Sequence, residues 1–145
     1  GDVMSLSQST INTVKATAGV VSQHAEAITT KMYEILFSQH PELKELFKNA
    51  DPDQHKKLAS AVGAYAANID NLDVLSKAVE KMAQSHVRTN VKPEHYPMVG
   101  TAILGAIKEV LGDATTDEIL DAWKEAYFFL ADILIAREKE LYYAS

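Results

Sequence analysis

The chain has no cysteine among its 145 residues. Disulfide bonds, thiolate metal ligands and a cysteine nucleophile are therefore excluded. Any metal must be held by histidine, aspartate, glutamate, tyrosine or methionine. Because the chain has five histidines, each of them has to be weighed as a ligand.

The chain also has no excess of basic residues: it contains 14 lysines and arginines and 20 aspartates and glutamates, which gives a net charge of -6. Proteins that bind nucleic acid normally carry a basic surface, so we predict no nucleic-acid partner. The most apolar stretch, residues 126–136, is interrupted by Asp132 and is too short to span a bilayer. The first residues lack the basic flank and apolar segment of a secretory signal, and we expect a cytoplasmic protein without a membrane span.

Glycine and proline are sparse, with six and four residues, and the glycines are scattered rather than grouped into a phosphate-binding loop. No segment has the pattern of a strand, whereas apolar residues recur at three- and four-residue steps along most of the chain. We therefore predict an all-α fold of six or seven helices in one domain over residues 1–145, with 1–4 a cloning remnant or an unstructured start. Caps and breakers mark the predicted helix ends: Ser7 or Ser9, Pro41, Asp51, Gly112, and Thr115 with Glu118.

One predicted helix has an apolar face that ends in a histidine. The residues that share this face are Leu75, Val79, Met82, Ala83 and His86. A histidine in this place is either a hydrogen-bonded core residue or a ligand with an apolar cofactor below it. Three other histidines fall on surface-like or turn positions and are expected to be solvated: His24, His40 and His95.

The wall opposite His86 is predicted to be apolar with a few polar groups. Its candidate residues are Tyr33, Phe47, Gln54 and Leu58. One histidine ligand beside an apolar slot suits a flat organic cofactor that brings its own nitrogen ligands. Haem with a proximal histidine has this chemistry.

Glu138 interrupts the apolar stripe of the last predicted helix. Steps of four residues lead from Leu130 through Leu134 to this carboxylate, on the side that should be buried. Either the helix end frays into water, or a buried group requires an acceptor there.

Several segments of the chain together resemble bacterial single-domain haemoglobins, which are similar to the haem domain of flavohaemoglobins. The segments read TTKMYEILF, HPELKELF, QHKKLA, NIDNLD, SHVRTNVKPEHYPMVG, GAIKEVLG and DAWKEAY. The resemblance extends from about Ser5 to Tyr142. It implies a globin fold whose helices surround a pocket for haem b, iron protoporphyrin IX.

The resemblance also implies a role for each matching residue. His86 corresponds to the proximal iron ligand, and Tyr96 and Glu138 to a pair that hydrogen-bonds around it, with Tyr96 also part of the cofactor pocket. Tyr33 and Gln54 correspond to the distal phenol and distal glutamine, which with the proximal pair are the implied catalytic residues. The other implied cofactor-binding residues are apolar: Phe47, Leu58, Met82, Val91 and Val99.

Two neighbours of these residues leave alternatives open. His55 directly follows Gln54, at a position where proline is common in similar proteins, and either side chain could occupy the distal side or coordinate iron. Ser85 directly precedes His86 and could accept from the imidazole in place of Glu138.

The function implied by the resemblance is reversible binding of O₂, and also NO and CO, at ferrous haem iron. The implied enzymatic activity is nitric oxide dioxygenation. Because the chain ends at LYYAS without a flavin or nicotinamide module, that activity would require a separate reductase. Two alternatives are an oxygen carrier or store without turnover and a helical interaction module without a cofactor.

Overall fold

The computed structural model describes residues 6–48 and 53–144. Helices account for most of these residues, and neither range contains a strand, which confirms the predicted all-α class. The α-helices are α1 (Gln8–Gln23), α2 (Ala25–Gln39), α3 (Gln54–Ala67), α4 (Ser76–Arg88), α5 (His95–Leu111) and α6 (Asp117–Ala144). Short 3₁₀ helices span Pro41–Phe47, Leu72–Leu75 and Gly112–Ala114. The predictions for residues 1–4 and for a cap at Asp51 lie outside the described residues.

Local chemistry explains where several helices begin and end. The hydroxyl of Ser7 accepts a hydrogen bond from the backbone N–H of Thr10 at 3.2 Å, so Ser7 is the N-cap of α1. Gly112 follows α5 with a φ of 60°, a conformation that favours glycine. At the start of α6 the hydroxyl of Thr116 accepts from the N–H of Ile119 at 3.2 Å.

The predicted cap at Thr115 is therefore wrong by one residue. The hydroxyl oxygen of Thr115 is buried and has no hydrogen-bond partner among the described residues. Two adjacent threonines offer the same capping chemistry, and in the structure the second of them accepts the hydrogen bond.

The main core lies where α2 crosses α5, with α1, α3 and α6 closing its sides. Its fully buried side chains include Val14, Val21, Ile28, Met32, Leu36 and Ile107. Burial of each such side chain contributes about 1.5–3 kcal/mol relative to exposure. This core fixes α2 and α3, which carry the predicted distal residues.

A second, smaller core lies between α4, the start of α5 and α6. Its buried residues are Ala83, Tyr96, Ala131 and Leu134. Tyr127 and Leu130 of α6 contact both cores. Helix α3 packs on α1 and α2, whereas α4 packs on α6, and within the described ranges these two helices share no extensive contact with each other. The fold thus positions α3 and α4 through contacts with different helices.

Gly100 allows α5 to approach α6 closely. A Cβ atom at this position would lie 2.8 Å from Cε2 of Tyr127 and 3.3 Å from Cζ of Phe128. Such a distance to a side-chain carbon is shorter than van der Waals contact, so only glycine fits without a shift. No helix in the described part of the chain is long and apolar enough to cross a membrane.

Candidate functional site

A hydrogen-bonded triad joins the ends of α4, α5 and α6. His86 lies in the last turn of α4, Tyr96 in the first turn of α5 and Glu138 near the end of α6. The Nδ1 atom of His86 lies 2.9 Å from the Tyr96 hydroxyl oxygen and 2.9 Å from Oε2 of Glu138. The Tyr96 hydroxyl lies 2.7 Å from the same carboxylate oxygen. The structure therefore brings together the three residues predicted for the proximal side.

The proton count of the triad determines the tautomer of His86. Tyr96 has one hydroxyl proton and donates it to Glu138. An ionised carboxylate only accepts, so the contact between Glu138 and Nδ1 requires the proton to be on Nδ1. The lone pair of Nε2 is then free of the triad, and Nε2 is the atom available to a metal.

Glu138 is buried within α6, with 3% of its surface exposed. Helix α6 continues to Ala144 beyond it, so the alternative of a frayed end reaching water is wrong. Burial of a carboxylate is costly unless hydrogen bonds compensate, and His86 and Tyr96 supply them. Both side-chain contacts of Nδ1 go to Tyr96 and Glu138 rather than to Ser85.

Burial raises the pKa of Tyr96 well above the usual value for a phenol, and the hydrogen bond to Glu138 raises it further. A phenolate at this position would lose solvation and face a carboxylate. Tyr96 therefore stays protonated at neutral pH and keeps its proton directed at Glu138.

Two phenols of α6 hold the segment that follows His86. The hydroxyl of Tyr127 donates to the backbone carbonyl of Tyr96 at 2.7 Å, and that of Tyr142 donates to the carbonyl of Val91 at 2.9 Å. Neither contact was predicted from the sequence. Such contacts could have been expected, because the hydroxyl of a buried tyrosine generally needs a hydrogen-bond partner.

On α2 and α3 the predicted distal residues also meet. Burial raises the pKa of the Tyr33 phenol, and hydrogen bonding from the neighbouring Gln54 side chain opposes that rise. The Tyr33 ring contacts Phe37 and Phe47, with ring centroids 5.8 and 5.4 Å apart. A polar pair is thereby embedded in an aromatic cluster, which limits the directions in which the phenol can donate.

His55 is directed away from this pair. It lines an open groove on the outer side of α2 together with Glu26, Thr30 and Glu34. Its backbone carbonyl accepts a hydrogen bond from the Thr29 hydroxyl at 2.9 Å, which fixes the first turn of α3. Of the two adjacent candidates for the distal side, the structure places Gln54, and not His55, on Tyr33.

The predicted apolar cofactor residues divide between the two cores and are partly buried. Phe47, Leu58 and Val99 pack at the border of the main core, whereas Met82 and Val91 pack on the smaller one. The side chain of His86 retains 28% exposure, and the triad contacts its Nδ1 atom rather than Nε2. The donor chemistry fits a metal that takes one imidazole nitrogen from α4 and its other ligands from a non-protein group.

Comparison with known proteins decides the family. Residues 30–134 match the family model described as Globin. The chain belongs to the globin family. It is 52% identical over 137 residues to an uncharacterized globin-like protein of Aquifex aeolicus, and the match covers 94% of this chain and 97% of that protein. The predicted globin fold and the resemblance to bacterial haemoglobins are thus confirmed.

A second group of globin relatives is longer. A flavohemoprotein of Oceanobacillus iheyensis is 49% identical over 140 residues, which cover 94% of this chain but 34% of the relative. The chain thus spans about a third of that relative's length. A flavohemoglobin structure from Malassezia yamatoensis, with bound FAD and heme, aligns at 27% identity and a TM-score of 0.76, covering 94% of this chain and 37% of that one.

A single-domain structure aligns more closely. It is an engineered carbene transferase from Rhodothermus marinus, described as a nitric oxide dioxygenase candidate. The two chains superpose with a TM-score of 0.92 at 42% identity, covering 97% of this chain and 98% of the other. The helices that carry the triad and the Tyr33 pair therefore follow the arrangement of that structure.

Proposed function

We propose that this chain is a haem b globin that reversibly binds O₂, and also NO and CO, with His86 as the axial ligand of the iron. The observation that carries the proposal is the triad, because it fixes the proton on Nδ1 of His86 and leaves Nε2 available. Membership of the globin family supports the same assignment. When bound, ferrous haem supplies the coordination site for the gas and the redox chemistry.

On the proximal side Glu138 strengthens His86 as a donor. A carboxylate that accepts the Nδ1 proton gives the imidazole partial anionic character, which increases electron donation from Nε2. Tyr96 holds the carboxylate in place through its own hydrogen bond at 2.7 Å. Glu138 and Tyr96 thus act as positioning and tuning residues behind the ligand.

On the distal side Tyr33 provides the hydrogen-bond donor and Gln54 directs it. A neutral hydrogen bond contributes about 0.5–1.5 kcal/mol net, which is enough to change the residence time of a small polar ligand severalfold. The surrounding aromatic cluster of Tyr33, Phe37 and Phe47 limits water around the phenol. O₂, which accumulates negative charge on binding, gains more from this donor than CO does.

The walls of the pocket are assigned to the partly buried apolar residues at the borders of the two cores. Leu58 and Phe47 belong to the side of Tyr33, and Met82 and Val91 to the side of His86. Val99 of α5 lies at the border of the main core. Binding a flat apolar group there would remove their exposed surface from water, at about 25 cal/mol per Å².

For physiological activity we propose nitric oxide dioxygenation. Combining NO with O₂ to give nitrate takes one electron per turnover, and we propose that a separate reductase supplies it. A strong proximal donor together with a distal phenol favours activation of O₂ over simple storage. The relatives named as flavohemoproteins and a nitric oxide dioxygenase candidate support this direction.

Two measurements separate this proposal from its alternatives. Addition of haem to the purified chain is expected to produce a Soret band that saturates at one haem per chain, whereas a cofactor-free interaction module would stay colourless. With a supplied flavin reductase and NADH, the loaded protein is expected to consume NO catalytically. Fast O₂ release with negligible NO turnover would instead assign an oxygen carrier or store.

A further inference from the structure

Helix α4 is weakly anchored for a helix that carries the proposed iron ligand. Ala83 is its single buried residue. Val79 and Met82 are partly buried on the smaller core, Val87 is half-buried, and the other residues of the helix apart from Ala83 are exposed or carry polar side chains. Burial alone therefore contributes little to fixing the rotation and axial position of α4. Polar contacts have to supply that restraint.

An ion-pair network next to the triad supplies it. Arg137, which directly precedes Glu138 on α6, donates from Nε to Oε1 of Glu80 at 2.6 Å and from Nη2 to Oε2 at 3.0 Å. Its Nη1 atom donates to Glu140 at 2.7 Å. Gln84 donates to Oε2 of Glu80 at 2.9 Å. The hydrogen bond from Arg137, and then that from Gln84, lowers the pKa of Glu80, so this carboxylate is charged at neutral pH.

Two consecutive residues of α6 thus hold α4 at two points. Arg137 binds Glu80 and Glu138 binds His86, and the two α4 residues lie about 9 Å apart along the helix axis at 1.5 Å per residue. A bidentate guanidinium–carboxylate pair has one preferred planar geometry, so it restrains orientation as well as distance. Exposed ion pairs contribute little to global stability. The pair is therefore expected to fix the position of α4 rather than to stabilise the whole fold.

We propose that Glu80 and Arg137 are positioning residues that set the register of α4 on α6 and thereby hold Nδ1 of His86 on Glu138. The inference rests on the proposed function for its effect on iron. The register of α4 itself does not depend on haem, so it is measurable separately. Loss of either side chain lengthens the contact between His86 and Glu138 and weakens electron donation from His86.

The test compares Glu80→Gln, Arg137→Gln and the double variant with Glu140→Gln as the matched control. The control removes the second partner of Arg137 and leaves its bidentate contact to Glu80 intact. Two readouts are measured on the full chain as purified and after haem addition. Amide hydrogen exchange reports on α4, and resonance Raman spectroscopy of the ferrous, ligand-free protein reports the iron–histidine stretching frequency.

In both single variants the amides of α4 are expected to exchange about two- to fivefold faster. An increase of this size corresponds to the free energy that a partly exposed ion pair contributes. The double variant should exchange the amides of α4 no faster than either single variant, because both substitutions remove the same contact. The stretching frequency should fall in these variants and not in Glu140→Gln. Unchanged exchange and an unchanged frequency overturn the inference. If the unmodified chain takes up no haem, the proposed function fails, and the exchange measurement alone decides whether the pair sets the register of α4.

Discussion

The imidazole of His86 and the carboxylate of Glu138 lie 2.9 Å apart although 52 residues separate them in the sequence. Replacement of Glu138 by glutamine removes the charge and weakens the acceptor while conserving shape. We expect Glu138→Gln to retain haem, to lower the iron–histidine stretching frequency, and to reduce the free energy of unfolding by about 1–2 kcal/mol. An unchanged stretch would count against electron donation through this pair. Glu140→Gln, two residues further along the same helix, serves as the control and should match the unmodified chain.

Tyr33 is expected to slow the release of O₂. Removal of its hydroxyl in Tyr33→Phe should speed O₂ dissociation by about 2- to 12-fold, the kinetic equivalent of a hydrogen bond of 0.5–1.5 kcal/mol. Stopped-flow displacement of O₂ by CO measures this rate. Tyr143, which is 81% exposed, provides the matched control in Tyr143→Phe. An off-rate equal to that of the control would mean that the phenol does not contact the ligand.

Gly100 is expected to tolerate no side chain. In Gly100→Ala the new methyl group would meet Tyr127, whose hydroxyl holds the carbonyl of Tyr96. Overpacking at such a contact costs about 1–3 kcal/mol, which urea unfolding measures. The control is Gly19→Ala on α1, where nothing lies within 4 Å of the added Cβ. That substitution should stabilise the chain by about 0.5–1 kcal/mol because alanine favours a helix interior. Equal stabilities for the two variants would contradict the close approach of α5 and α6.

Much of the fold could be predicted from local patterns, whereas the pairing of Tyr96 and Glu138 around His86 was implied by the family resemblance. Steps of three and four residues placed His86 and Glu138 on inward faces. Hydroxyl chemistry predicted the start of α1 at Ser7 or Ser9, of which the structure uses Ser7, and glycine chemistry predicted the end of α5 at Gly112. These features depend on residues close in sequence, so periodicity and capping rules suffice for them.

Other features depend on how helices meet, and no local rule contains that information. Gln54 and His55 differ by about 100° of rotation on a helix, and only the packing of α3 against α2 decides which reaches Tyr33. The hydrogen bond of Tyr127 joins α6 to the first turn of α5, and that of Tyr142 joins α6 to the loop before α5, both far away in sequence. The bidentate contact between Arg137 and Glu80 likewise requires the register of α4 on α6.

Buried phenols predict a loss of stability in alkali. Burial raises the pKa of Tyr65, Tyr96 and Tyr127 above the usual value of about 10. Because the folded pKa exceeds the unfolded one, their contribution is fully present below about pH 10 and is lost as the pH rises through the folded values. The free energy of unfolding should fall above about pH 10 by up to 1.4 kcal/mol per pH unit for each phenol.

Urea unfolding between neutral pH and strong alkali, followed together with phenolate absorbance, measures this dependence. In Tyr65→Phe the free energy of unfolding should fall less steeply with pH, by the contribution of one phenol. The substitution removes a buried hydroxyl that donates to the carbonyl of Ala126. Ionisation of all six tyrosines while the helices remain intact would disprove the burial argument.

The central claim is that His86 binds haem iron through Nε2, and the absorption spectrum of the ferrous, ligand-free protein tests it most directly. The unmodified chain is expected to give the spectrum of a five-coordinate haem, and His55→Ala should give the same spectrum because His55 lines the outer groove. His86→Ala should lose stable haem binding. A chain that stays colourless after haem addition, or a His86→Ala variant with the spectrum of the unmodified protein, would contradict the claim.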